Sequence, residues 1–95
     1  MSETGAVLSR IVAIPNQKGL HARAAAKLAA LAERFAASID VVRDGQSVPA
    51  RSLMGLMLLN AGKGAENELR AEGWDAKEAV EALAALIEAG FDERD

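Results

Sequence analysis

Ser38-Ile39-Asp40-Val41-Val42-Arg43-Asp44-Gly45-Gln46-Ser47-Val48-Pro49-Ala50 is the stretch on which the fold turns. Ile39, Val41 and Val42 are β-branched residues gathered in a short run, the composition of a strand. Asp44-Gly45 follows at once, and such a pair suits the two positive-φ positions of a tight hairpin. Gln46 to Ala50 is the returning strand, ending near Pro49. The chain therefore doubles back here, and everything on either side has to be arranged around an antiparallel pair.

Toward the N-terminus the pattern changes from a period of two to a period of three and four. Ala22, Ala25, Ala26, Ala29, Ala32 and Ala36 recur at helical spacing, with Leu28, Leu31 and Phe35 widening the stripe, so a helix is expected from about His21 to Ala36. Ahead of it, Pro15-Asn16-Gln17-Lys18-Gly19 carries turn chemistry. Val7 to Ile14 reads as a first strand stopped by Pro15, and residues 1–6 as a flexible N-terminal tail. Toward the C-terminus, Ser52 stands where a helix N-cap belongs, before the apolar segment Leu53 to Leu59, which Asn60-Ala61-Gly62 closes. Ala65 to Glu72 alternates, with Glu66, Glu68, Arg70 and Glu72 against Asn67, Leu69 and Ala71, giving a fourth strand with one wet face. Gly73 breaks it. Asp75 with Glu78 three residues on has the spacing of a capping box for a last helix. Ala79, Val80, Leu83, Leu86 and Ile87 form its buried stripe, Gly90 ends it, and residues 91–95 are expected to be a flexible C-terminal tail.

The order is βαββαβα within one domain spanning residues 1–95, an α+β chain with helices on one face of an antiparallel sheet. A net charge of −3 at pH 7 argues against a nucleic-acid binder, which would show a basic patch. No apolar run approaches the roughly 18–20 residues of a membrane span, and the first residues do not resemble a secretory leader, so a cytoplasmic protein is expected. The absence of cysteine excludes disulfides and thiolate chemistry. One histidine and no cysteine do not make a typical zinc site, so neither metal nor cofactor is expected.

His21, the only histidine, lies just after Gly19-Leu20 and at the start of a strong helix. The first turn of a helix presents amide N–H groups without intrahelical partners and the positive end of the dipole, which together welcome an anion. Arg23 can reach the same space with a guanidinium that matches phosphate oxygens. A neutral imidazole nitrogen is a good nucleophile toward phosphorus. On position alone, a histidine at a helix start is more often a cap or a surface residue than a reactive group.

Gly19-Leu20-His21-Ala22-Arg23 resembles the active-site signature of the phosphocarrier HPr family of the phosphoenolpyruvate-dependent phosphotransferase system. Arg51-Ser52-Leu53-Met54-Gly55-Leu56-Met57 is similar to that family's regulatory-serine segment, and Ala71-Glu72-Gly73 with the Asp-led, Ala- and Leu-rich helix resembles its C-terminal end. The resemblance spans roughly residues 8–91. It implies an open-faced β-sandwich, a four-stranded antiparallel sheet with three helices. It implies that His21 accepts phosphate through Nδ1 from Enzyme I and passes it to an EIIA-type domain, with Arg23 assisting. The chain is then a covalent intermediate in phosphotransfer rather than an enzyme. It further implies that Ser52 is a regulatory phosphorylation site where an HPr kinase/phosphorylase exists, and that Leu20, Ala24, Leu53, Met54 and Met57 contribute to partner docking by a monomer. Two features depart from the common pattern: Ala24 stands where many members have proline, and Gln17-Lys18 lengthens the loop before His21. Proline suits a first helical turn without being required there. The longer loop and Ala-rich helix resemble the nitrogen-related branch, NPr.

Several residues carry a plainer reading. Ser52 is a favoured cap in its own right. Leu53 to Leu59 reads as a buried helix, but a segment so short and so apolar cannot hide every side, and its methionines suit adaptable contacts. Lys18, Lys27 and Arg51 would ring the site with positive charge, although Lys27 reads better as solvated. Trp74 is expected to pack at the base of the last helix or lie partly exposed. A regulatory binding module working through Ser52 and the apolar patch is the main alternative. A generic ferredoxin-like ligand-binding domain fits the helix count less well.

Overall fold

The computed structural model describes residues 7–59 and 61–93. The N-terminal segment 1–6, Asn60 and residues 94–95 lie outside the described residues. The chain runs β1 (Leu8–Ala13), α1 (Ala22–Ala32), β2 (Ser38–Arg43), β3 (Gln46–Pro49), α2 (Leu53–Leu58), β4 (Glu66–Glu72) and α3 (Ala76–Glu88). A three-residue turn, Gly90–Asp92, follows α3.

The four strands form one antiparallel sheet in the order β1-β4-β2-β3. The expected hairpin is present, with Val41 opposite Val48 and Arg43 opposite Gln46. Asp44 and Gly45 take φ of 51° and 80°, the two positive values a tight turn requires. Strand β4 lies between β1 and β2, pairing Arg10 with Leu69 and Val41 with Leu69. Alternation then sorts the side chains. Val12, Asn67, Leu69, Ala71, Ile39 and Val41 face the helices and are buried, while Glu68, Arg70 and Ile11 lie on the open side. On that open side the Arg70 side chain hydrogen-bonds Glu68 and holds its carboxyl below the ordinary value.

The helices cover one face of the sheet, and a single core fills the space between, with Leu28, Leu56, Leu59, Leu83, Ile87 and Phe91 fully enclosed. Each such side chain contributes about 1.5–3 kcal/mol by leaving water. Alanines on α1 (Ala24, Ala25, Ala29 and Ala32) and α3 (Ala76, Ala79 and Ala84) let the helices approach closely. Helix α2 follows the expectation for a short apolar segment: Leu56 is buried while Leu53, Met54, Met57 and Leu58 remain exposed. No helix among the described residues is long and apolar enough to cross a membrane.

Three local expectations are corrected. Helix α1 stops at Ala32, not Ala36, because the amides of Ala36 and Ala37 are taken by the Asp75 carboxylate at 2.9 and 2.8 Å. For the same reason Asp75, although it occupies the N-cap position of α3, makes no side-chain cap bond to that helix. It is a buried clasp between the end of α1 and the start of α3, and a carboxylate accepting two amide hydrogens is well satisfied there. The chain beyond Gly90 is also not a free tail as far as it is described: Phe91 is fully buried, and its carbonyl accepts from Lys27 Nζ at 2.7 Å. Trp74 is 84% exposed, the most open of the large hydrophobic residues described.

Candidate phosphoryl-acceptor site

The loop before α1 is fixed by backbone bonds at both edges. Leu20 N donates to Ala61 O at 2.8 Å and Gly19 N to Asn16 O at 3.2 Å. Gly19 has φ +68°, and a Cβ there would stand 2.5 Å from Ala61 O, so no other residue fits without moving the neighbouring loop. Residue 21 is thereby delivered in extended conformation to the N-cap of α1, with its carbonyl accepting from Ala25 N at 2.8 Å.

The His21 ring closes over its own helix start. Nδ1 accepts from Arg23 N at 3.2 Å. On the other side Nε2 hydrogen-bonds Glu93 Oε2. The partners assign the tautomer: Nδ1, facing an amide donor, carries the lone pair, and Nε2, facing a carboxylate, carries the proton. The ring is partly open, at 27% exposure, whereas the Glu93 side chain is at 11%. Asn16, buried, donates from Nδ2 to Glu93 Oε1 at 2.8 Å and to Gly19 O at 3.0 Å, tying the loop to the C-terminal turn. Burial pushes the Glu93 carboxyl upward, but hydrogen bonds from His21 and Asn16 and the positive charge of Lys18 outweigh it, leaving the group below its ordinary value.

Hollows lie on two sides of the ring. The larger, about 580 Å³, is bounded by Lys18, Arg23, Lys27, Asp92 and Glu93. The smaller, about 310 Å³, runs past Leu20 to Met57, Ala61 and Gly62. Among the described residues the Arg23 guanidinium is exposed and makes no hydrogen bond or ion pair, so it is available to an anion in the larger hollow. Lys27, read from sequence as a solvated residue, instead lines this hollow. Arg51 does not join the ring of charge, because its guanidinium hydrogen-bonds Phe35 O.

Ser52 caps α2 as expected, its Oγ accepting from Gly55 N at 2.9 Å. Beside it Met54 and Leu58 are 69% and 71% exposed, and Leu53 and Met57 are partly so. Two of the residues expected at the docking surface are buried, although Leu20 still borders the smaller hollow. Leu20 and Ala24 are 6% and 0% exposed and form part of the core, since their positions on the loop and on α1 point inward. Leu58, not singled out from sequence, is the most exposed member of the apolar patch. Asn16 and Glu93 were also missed. A Pro-Asn turn signalled the loop but not its contact, and no local pattern links Glu93 to a histidine 72 residues earlier.

A four-stranded open-faced sandwich thus presents a histidine on a helix start, bordered by Lys18, Arg23 and Lys27 and by the carboxylates of Asp92 and Glu93. This is the architecture of the phosphocarriers of the phosphotransferase system. The sequence model described as "PTS HPr component phosphorylation site" matches residues 8–89. The chain is 46% identical to the phosphocarrier protein NPr of Shewanella violacea over 86 residues, covering 90% of this chain and 94% of that protein. It is also 46% identical to the phosphocarrier protein HPr of Cupriavidus necator over 87 residues, covering 92% and 98%. The crystal structure of HPr-C-His from Thermoanaerobacter tengcongensis superposes with a TM-score of 0.88 at 41% identity, covering 93% of this chain and 99% of that one. The chain belongs to the HPr family of phosphocarriers of the phosphotransferase system. Equal identity to an HPr and to an NPr favours neither branch.

Proposed function

We propose that the protein carries a phosphoryl group on Nδ1 of His21, receiving it from Enzyme I and passing it to an EIIA-type protein. The observation that supports this most is the orientation of the ring. The nitrogen with the free electron pair faces the first turn of α1, while the other holds a proton against a carboxylate. In the reaction the Nδ1 lone pair attacks phosphorus, an N–P bond forms, and the bond from phosphorus to the donor nitrogen breaks with its electron pair leaving on the donor. The Arg23 amide, released from Nδ1, and the next amide of the turn are placed to donate to phosphoryl oxygens. The Arg23 guanidinium supplies charge and a forked donor from the larger hollow. Onward transfer reverses these steps on the acceptor. Lys18 and Lys27 add positive charge that attracts an acidic partner face.

The exposed apolar residues Leu53, Met54, Met57 and Leu58 flank the site and serve as the docking patch for both partners. A phosphoryl group on Ser52 would sit at the edge of that patch, where its charge opposes docking while the helix start tolerates it. Ser52 is on this reading a regulatory site, as well as a cap.

Incubation with Enzyme I, magnesium and phosphoenolpyruvate tests the carrier role. The wild type is expected to take up one acid-labile, alkali-stable phosphate and His21→Ala none. Absence of label on the wild type, or equal label on His21→Ala, contradicts it. Addition of an EIIA-type protein should then discharge the label.

A further inference from the structure

The segment after α3 is shaped to bring a carboxylate onto the histidine. Gly90, Phe91 and Asp92 take φ of 68°, 58° and 60°, three consecutive left-handed residues of which only the first is glycine. Non-glycine residues adopt this region under strain, and strained backbone persists only where the surroundings enforce it. Here they do: the Phe91 ring is fully enclosed in the core, Lys27 holds its carbonyl, and Asn16 holds Glu93 Oε1. The outcome is that Glu93 Oε2 meets His21 Nε2. The other charged groups around the ring are Lys18 from the loop, Arg23 and Lys27 from α1, and Asp92 from the turn.

We propose that Glu93 is a positioning residue for phosphoryl transfer, which keeps a proton on Nε2 of His21 both before and after Nδ1 is phosphorylated. The proposal rests on the carrier reading above and adds to it. With the proton held on Nε2, the neutral ring has its lone pair on Nδ1, the nitrogen turned toward the helix start. Attack through Nδ1 forms the N–P bond without any proton leaving the ring, which becomes a cation. Glu93, ionised and in contact with that cation, opposes loss of the Nε2 proton. When the N–P bond breaks, its electrons return to Nδ1 and the departing group is a neutral imidazole instead of an imidazolate anion. The carboxylate therefore keeps the phosphoryl group transferable at pH values where an unpartnered phosphorylated ring would deprotonate and hold it.

Histidine-labelled ¹⁵N spectra and the pH profile of dephosphorylation test this in the full chain. Phosphoramidate serves as a small donor, so the outcome does not depend on recognition by Enzyme I. Failure of Enzyme I to label the wild type would overturn the carrier reading but leaves both measurements readable. In the unmodified wild type the neutral ring should carry its proton on Nε2. Glu93→Ala should shift it toward a mixture, whereas Glu93→Gln, whose amide oxygen still accepts, should not. After phosphorylation, Glu93→Gln should move the pH midpoint for loss of the Nε2 proton downward by about one unit. Dephosphorylation should then be up to about tenfold slower between the two midpoints. Glu93→Asp should recover part of the shift, and Asp92→Asn should reproduce none of it. A wild-type proton on Nδ1, identical profiles for wild type and Glu93→Gln, or an equal effect of Asp92→Asn would each overturn the proposal.

Discussion

Helices α1 and α2 both begin on a polar side chain that folds back over its own first turn, but the two caps are built for different ends. Ser52 Oγ accepts from the amide three residues on at 2.9 Å, the usual geometry of a serine cap. His21 Nδ1 accepts from the amide only two residues on, at 3.2 Å, the long end of the range for such a bond. A short bond contributes to the helix, while a long one leaves a lone pair that an electrophile can claim at little cost. The surroundings differ in the same sense. Around His21 stand Lys18, Arg23 and Lys27, with a carboxylate fixing the far nitrogen. Around Ser52 stand exposed leucines and methionines. One helix start is arranged for an anion and the other for a protein surface, so charge placed at the two should have opposite consequences.

The comparison can be broken most sharply at His21 itself. His21→Ala should abolish acid-labile phosphorylation by Enzyme I, while the protein stays folded with its melting temperature lowered by several degrees, because the long cap bond and the Glu93 contact are both lost. A large loss of stability would mean that the ring is structural. Next, Arg23→Ala should slow phosphoryl transfer about 10- to 100-fold in stopped-flow or quench assays, with less loss in Arg23→Lys, since a donor facing developing charge acts mainly in the transition state. An unchanged rate would show that the free guanidinium is not used.

At the second helix start the expected effects are smaller. Aspartate is as good a cap as serine, so Ser52→Asp should leave stability nearly unchanged while weakening Enzyme I binding roughly tenfold through its charge beside the apolar patch. Equal binding in a titration would remove the regulatory reading of Ser52. Ser52→Ala should cost about 1 kcal/mol in denaturant unfolding and leave transfer from Enzyme I intact. The smallest effect is one of pH. A carboxyl whose folded value lies below its unfolded one stabilises above the unfolded value, and the contribution is lost as pH falls through the folded value. For Glu93 the window is therefore below the ordinary 4.5. Amide shifts of residues 90–93 should stay constant down to about that pH and move together beneath it. Movement confined to higher pH would contradict the contact.

Much of this was legible locally. The Asp44-Gly45 turn and the alternation of β4 each report on a few neighbouring residues, and each formed as its pattern predicts. The helical period of α1 also formed, but its buried face is turned: Ala24, Ala25, Leu28, Ala29 and Ala32 are enclosed, whereas Ala22 and Ala26, expected on that face, are exposed. His21 at a helix start followed from the glycine before it and the periodic face after it. What escaped were bonds between distant segments. Asp75 has the letters of a capping box, yet its carboxylate reaches two amides 38 and 39 residues away and shortens α1 in doing so. Lys27 has the position of a surface residue, yet a turn 64 residues later gives it a carbonyl. Glu93 required Phe91 to adopt a backbone angle that its identity disfavours, a choice made by core packing and not by local propensity. Leu20 and Ala24 were placed at the docking surface by resemblance, and burial assigns both to the interior.

The two nitrogens of one ring carry the central claim, and heteronuclear coupling tells them apart. Protein labelled with ¹⁵N in histidine and phosphorylated by Enzyme I should show ¹⁵N–³¹P coupling at Nδ1 of His21, with Nε2 still bearing hydrogen. Coupling at Nε2, or phosphorus bound to the oxygen of Ser52 alone, would contradict the account.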